Sequence, residues 1–111
     1  MKRLQKEVDE LINEFGGYWK PFEMLAAAVE ELGELADAML AYERIKGEGS
    51  LDKIQEELGD LFFALLCIAN GYGIDAEKAV RDTIRRYRAR DSAKWNKVSK
   101  NKREVSKEND T

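Results

Sequence analysis

The chain has 111 residues, 37% of them charged, with a single Pro, a single Cys and no His, and a net charge of −3. This is the length of one ordinary domain, and one cysteine allows no disulfide framework within it. The missing histidine excludes His general-base chemistry, Ser-His-Asp triads and His-containing zinc or di-iron sites.

A high charge content with one proline favours long solvated helices over a sheet. The charge is unevenly spread. Residues 1–80 hold 8 Lys+Arg against 17 Asp+Glu, a balance of −9, whereas residues 81–103 hold 10 against 2, a balance of +8. Such a basic segment suits nucleic acid, the phosphates of a small ligand, or a solvated face. Cys67 lies in an apolar run, which fits a reducing, cytoplasmic setting. The charged N-terminus lacks the apolar stretch of a signal peptide. The longest apolar run, residues 61–69, is too short to span a bilayer, so no membrane role is expected.

Four helical segments are legible. Leu4, Val8, Leu11, Ile12 and Phe15 recur at helical spacing and predict a first helix over about residues 2–14, stopped by Gly16-Gly17. A linker with Tyr18 and Trp19 follows. Pro21 opens the second helix, whose expected core stripe is Leu25, Ala28, Leu32, Leu35, Met39 and Tyr42. The apolar pattern fades after Tyr42, so a loop is expected over 43–50. Ser50 as N-cap and Asp52 in the first turn begin the third helix, with the stripe Leu51, Ile54, Leu58, Leu61, Leu65 and Ala69. Gly71 and Gly73 end it near Tyr72. Asp75 caps a fourth helix that passes Arg90 and extends toward Trp95. The expected domain covers 1–98, and the nearly apolar-free residues 99–111 form a charged, disordered tail. The fold class is all-α: a four-helix bundle-like arrangement of antiparallel helices with short loops, assembling into an oligomer.

Two stretches repeat each other. Residues 30–40 read EELGELADAML and residues 56–66 read EELGDLFFALL; seven of eleven positions are identical and Glu34/Asp60 keeps the carboxylate. At about 100° per residue, Glu31 and Glu34 share one helix face with Ala27 and Ala38, and Glu57 and Asp60 share one with Lys53 and Ala64. Four carboxylates aimed at one space need cations or protons. Oxygen ligation without His or Cys selects Mg²⁺, with Mn²⁺ as a substitute, and Mg²⁺ completes its shell with water and phosphate. That points to phosphate-ester or anhydride chemistry. The acid pairs come level if the second helix ends near Tyr42. An end at Lys46 separates them by roughly 9 Å at a rise of about 1.5 Å per residue. The plain alternative is that these acids are solvated, as most glutamates on amphipathic helices are.

EELGE followed 22 residues later by ELGD resembles the E-E-x-x-E…E-x-x-D signature of MazG-like nucleotide pyrophosphohydrolases, over about residues 20–92 including the Gly-Ile-Asp-Ala-Glu-Lys-Ala-Val run at 73–80. The resemblance implies that Glu31, Glu34, Glu57 and Asp60 ligate magnesium, that Lys53 sits at the phosphate site, and that Arg86 and Arg90 are the basic pair of the fourth helix. The family frequently carries Asn where this chain has Ile84, and it commonly forms dimers or tetramers. The implied reaction is attack of a metal-activated water on the α-phosphorus of a nucleoside triphosphate, releasing the monophosphate and pyrophosphate. Glu34 or Glu30 is the candidate proton acceptor. Arg86 and Arg90, i,i+4 neighbours, suit phosphate oxygens through their guanidinium forks. Tyr18 and Trp19 either stack on a nucleobase or seal the end of the bundle. Phe62 and Phe63 are expected in a core or an interface, and Cys67 as a buried apolar side chain.

Three other readings stay open: phosphoribosyl-ATP pyrophosphohydrolase activity with a similar site, an inert helical interaction module, and nucleic-acid binding through residues 81–103. The acidic remainder of the chain opposes the last.

Overall fold

The computed structural model describes residues 1–91; the expected tail and Trp95 fall outside them. The described residues form four helices and no strand: α1 (Lys2–Glu14), α2 (Pro21–Tyr42), α3 (Leu51–Gly71) and α4 (Ala76–Asp91). No single helix among them is long and apolar enough to cross a membrane.

The helix ends follow from local chemistry. Ser50 Oγ accepts from the Lys53 N–H at 3.2 Å and caps α3. Glu23, in the first turn of α2, accepts from the Lys20 N–H at 3.0 Å behind Pro21. The C-termini of α1, α2 and α3 share one solution, a left-handed residue that turns the chain and lets the next N–H reach a carbonyl of the last turn. In α1 the turning residue is Gly16 (φ 103°), with Gly17 N–H to Ile12 O at 2.9 Å; in α3 it is Gly73 (φ 67°), with Ile74 N–H to Ala69 O at 2.8 Å. At the end of α2 the same bond, Ile45 N–H to Leu40 O at 2.9 Å, turns on Arg44 (φ 61°), the single non-glycine with positive φ among the described residues.

α2 and α3 form an antiparallel hairpin. Met24 at the start of α2 packs against Gly71 at the end of α3. At the other end the loop folds back so closely that a Cβ on Gly49 would come within 2.7 Å of the Tyr42 nitrogen. α1 lies against α3. Val8, Met24, Leu66 and Cys67 make the core, with Ile12, Tyr18, Phe63 and Ile68 packed on it.

A polar network holds α1 to the end of α3. Gln5, itself buried, donates to Asn70 Oδ1 at 2.9 Å and to Ile74 O at 2.8 Å, and accepts from the Ala76 N–H at 2.9 Å. Asn70 Nδ2 donates to Gln5 O at 2.9 Å and to the Tyr18 hydroxyl at 3.0 Å; that hydroxyl donates to Asp9 Oδ1 at 2.7 Å.

The core stripes differ from expectation. Leu25, Leu32, Met39 and Tyr42 of α2 and Leu51, Leu58 and Leu65 of α3 are exposed, as are Leu4, Leu11 and Phe15 of α1. Of the expected α2 stripe Ala28 is buried as expected; the other side chains that bury are Met24 and Ala38 on α2 and Glu57, Ala64, Leu66 and Cys67 on α3. The reason is that both long helices are apolar over more than one face, and one chain has helices enough to cover only one of them. Periodicity marks apolar faces without saying which is covered from within.

Two compact units are present, Met1–Ala76 and a second starting at Glu77. The described part of the second is the body of α4, a helix laced by i,i+3 and i,i+4 pairs such as Lys78–Asp82 and Arg85–Asp82, both at 2.8 Å.

Arg44 holds a conformation that disfavours a Cβ. Arg44→Gly is expected to stabilise the chain by about 0.5–1 kcal/mol, read as a raised urea midpoint at unchanged slope. A lowered midpoint would show that Arg44 makes compensating contacts.

Candidate active site

Three side chains meet across the α2–α3 hairpin. One carboxylate oxygen from each of Glu31, Glu57 and Asp60 lies within 4.8 Å of the others. The convergence follows from the helix bounds: α2 ends at Tyr42 and α3 begins at Leu51, which sets Glu31 level with Glu57 and Asp60. Their environments differ. Glu57 is 5% exposed, Glu31 half-buried and Asp60 exposed. Ala27 and Ala64, both small, line the same space as Glu31 and Asp60.

This arrangement is electrostatically unfavourable by itself. The Glu31 carboxyl is raised above its ordinary range, first by desolvation and then by Asp60, Glu57, Glu34 and Glu30. Glu57 is relieved by Lys53, whose Nζ lies 2.9 Å from Glu57 Oε1 and 3.5 Å from Glu56 Oε2. Glu34, one turn beyond Glu31, and Glu30 are exposed on α2; neither is among the three that converge, and both act on Glu31 through space. The three donors fit a hard divalent cation: all are carboxylate oxygens, they are close enough to share one ion, and the buried member already holds a cationic partner.

Beside the acids lies a cavity of about 460 Å³. Glu31 and Asp60 form its polar edge, and Ile12, Tyr18, Trp19, Met24, Phe63 and Cys67 are among its walls. Tyr18 is fixed there by its hydroxyl bonds to Asp9 and Asn70, and burial together with the Asp9 bond pushes its phenol up to about 12. Trp19, 67% exposed, stands at the rim. Phe63 serves both core and cavity, while Phe62 is exposed. Cys67 is buried in the wall, and burial pushes its thiol up, away from the reactive thiolate. The sequence reading missed Gln5, Asp9 and Asn70 as the frame behind Tyr18. A polar residue on a helix face carries no mark of a partner some 65 residues away.

In the second unit, Arg86 donates to Thr83 Oγ1 at 2.8 Å, and Arg90 bonds Asp91 at 2.9 Å and lies 4.9 Å from the centre of the Tyr87 ring. Both are exposed.

Residues 20–95 match the MazG nucleotide pyrophosphohydrolase domain. The chain belongs to this family. Over 106 residues it is 39% identical to YpjD of Bacillus subtilis strain 168, covering 92% of this chain and 96% of that one. It is also similar to the crystal structure of a Bacillus-conserved MazG protein described as a nucleotide pyrophosphohydrolase, with a TM-score of 0.69 and 40% identity, over 78% of this chain and 86% of the other. A crystal structure of YpjD from Bacillus subtilis gives a TM-score of 0.72 at 36% identity, over 78% and 92%. The acid cluster and all of α2 and α3 fall inside the matched MazG region.

Because folding raises the Glu31 carboxyl, the folded chain holds that proton more tightly than the unfolded one. The resulting stability is present below the ordinary carboxylate range and is lost as pH rises through the raised value. In EDTA, Glu31→Gln is therefore expected to melt above the parent at neutral pH, with the gap closing in acid. A variant less stable at neutral pH would contradict the repulsion.

Proposed function

We propose that this MazG-family chain hydrolyses a nucleoside triphosphate to the monophosphate and pyrophosphate in the presence of Mg²⁺, with Mn²⁺ as a substitute, in the cytoplasm. The observation that carries the reading is the three-carboxylate cluster at the edge of an apolar, aromatic-walled cavity. Such a cavity suits a nucleobase, and such a cluster suits the cation that accompanies its phosphates.

Glu31, Glu57 and Asp60 would hold the ion, with Glu34 of the next turn as the fourth carboxylate that the MazG resemblance implies. When bound, the ion neutralises phosphate charge and lowers the pKa of water. The protein contributes position and electrostatics, which dominate phosphoryl chemistry. The Tyr18 and Trp19 rings stack on the base, with Tyr18 kept in orientation by Asp9 and Asn70. Lys53 binds phosphate oxygens; Arg86 and Arg90 of the second unit are the basic pair that the resemblance implies, with guanidinium forks suited to phosphate. Water attacks the α-phosphorus, the bond from that phosphorus to the bridging oxygen breaks, and the water's proton passes to Glu34 or Glu30.

The functional chain is a homodimer or homotetramer. Phe22, Leu25, Val29, Leu32 and Met39 lie at spacings of three, four, three and seven residues along α2, all exposed, with Phe22 at 86%. A second copy is the natural cover for such a face.

A panel of NTPs and dNTPs with and without Mg²⁺, its products resolved by ion exchange, tests the reaction. Magnesium-dependent monophosphate and pyrophosphate are expected, and Glu57→Gln should reduce turnover by at least about 100-fold, on the scale of losing a main electrostatic contributor. Diphosphate with orthophosphate, or no turnover, would refute the reading. Glu30→Gln and Glu34→Gln assayed separately assign the proton acceptor; full activity in both removes these candidates. Sedimentation equilibrium tests assembly: dimer or tetramer is expected for the parent and a smaller species for Leu32→Lys, and a monomeric parent would refute it.

A further inference from the structure

Lys53 stands where helix energetics do not favour a cation. Ser50 caps α3 and binds the Lys53 N–H, so Lys53 is the third residue of the helix, facing the positive end of its dipole. Its partner Glu57 lies four residues further on, the weaker order for such a pair. Even so, Nζ reaches Glu57 Oε1 at 2.9 Å, joining a side chain 53% exposed to one 6% exposed. Two local rules are broken to bring an ammonium from solvent to a buried carboxylate. Lys53 is thus placed for that carboxylate rather than for the helix.

We infer that Lys53 is an exchangeable counter-ion, seated on Glu57 while the acid cluster is free of metal and released to a phosphate oxygen of the nucleotide once a divalent cation is bound. The inference rests on the nucleotide-hydrolysing reading above. In the metal-free chain Glu31, Glu57 and Asp60 repel one another within 4.8 Å, and the ammonium offsets that repulsion at its buried member. With a divalent ion on the same carboxylates, Glu57 no longer needs the ammonium, and two cations sharing one carboxylate repel. Lys53 can leave readily, because its four-carbon stem is flexible and half in water. Released, it is a compact positive charge beside the ion, where phosphates arrive. Metal loading and phosphate affinity are thereby coupled: the lysine is free to bind phosphate only when the metal is in place. The same exchange lets the chain fold before metal arrives.

Lys53→Met in the full chain tests this, since methionine keeps the stem and removes the charge. Three quantities are read: the melting temperature in EDTA and in saturating Mg²⁺, the Mg²⁺ affinity by calorimetry, and the affinity for inorganic tripolyphosphate with Mg²⁺ present. The variant is expected to melt several degrees below the parent in EDTA and level with it in Mg²⁺. It should bind Mg²⁺ severalfold tighter and tripolyphosphate severalfold weaker. Mg²⁺ affinity unchanged or weakened in the variant would overturn the exchange, because Lys53 would then be holding Glu57 in place for the metal. Unchanged tripolyphosphate affinity would overturn the release to phosphate. Failure of the parent itself to bind Mg²⁺ would overturn the proposed function together with this inference, which separates the two failures.

Discussion

Placing a buried carboxylate next to two others is costly, and much of this structure is arranged around that placement. Glu57 is taken out of water on α3 and set beside Asp60 on its own helix and Glu31 across the hairpin. A buried ionised group without partners is among the most destabilising features a protein can carry. The chain manages it with a lysine from the first turn of the same helix, with alanines that line the adjoining space, and with helix ends that fix the register between α2 and α3. Neither the close fold-back at Gly49 nor the left-handed turn at Arg44 is needed for an apolar helical hairpin of unspecified register. Both serve to start α3 at a defined height relative to α2.

The cavity next to the acids has a second support. Tyr18 is a linker residue, and linkers supply mobile side chains unless something fixes them. Here Asp9 from α1 and Asn70 from α3 bind one hydroxyl, and Gln5 ties Asn70 to the chain entering α4. The ring that faces the cavity is therefore positioned by side chains that do not themselves line it. Function in this design lies in pairs of residues held across elements, and the cohesive core that holds them is small.

Much of this was legible in the sequence. The four helices, the end of α2 at Tyr42, the Ser50 cap and the level acids follow from periodicity, capping chemistry and the repeated EELG segments, because these are local signals. The MazG resemblance pointed to the acids, and the geometry brings Glu31, Glu57 and Asp60 together while leaving Glu34 one turn out. What could not be read depends on distance along the chain. The Leu25–Leu32–Met39 stripe looked like core and is exposed, since a pattern shows that a face is apolar but not what covers it. The frame of Gln5, Asp9 and Asn70 was invisible because its members are polar residues joined across most of the chain. For Lys53 the resemblance implied a phosphate role, whereas its bond to Glu57 needed coordinates.

In the proposed reaction this site directs water to the α-phosphorus. Hydrolysis in water enriched in ¹⁸O, with both products examined by mass spectrometry, tests it most directly. The label is predicted in the nucleoside monophosphate. Label in pyrophosphate would place the attack on the β-phosphorus, and label in orthophosphate would place it at the far end of the chain of phosphates. Either result would rule out attack at the α-phosphorus.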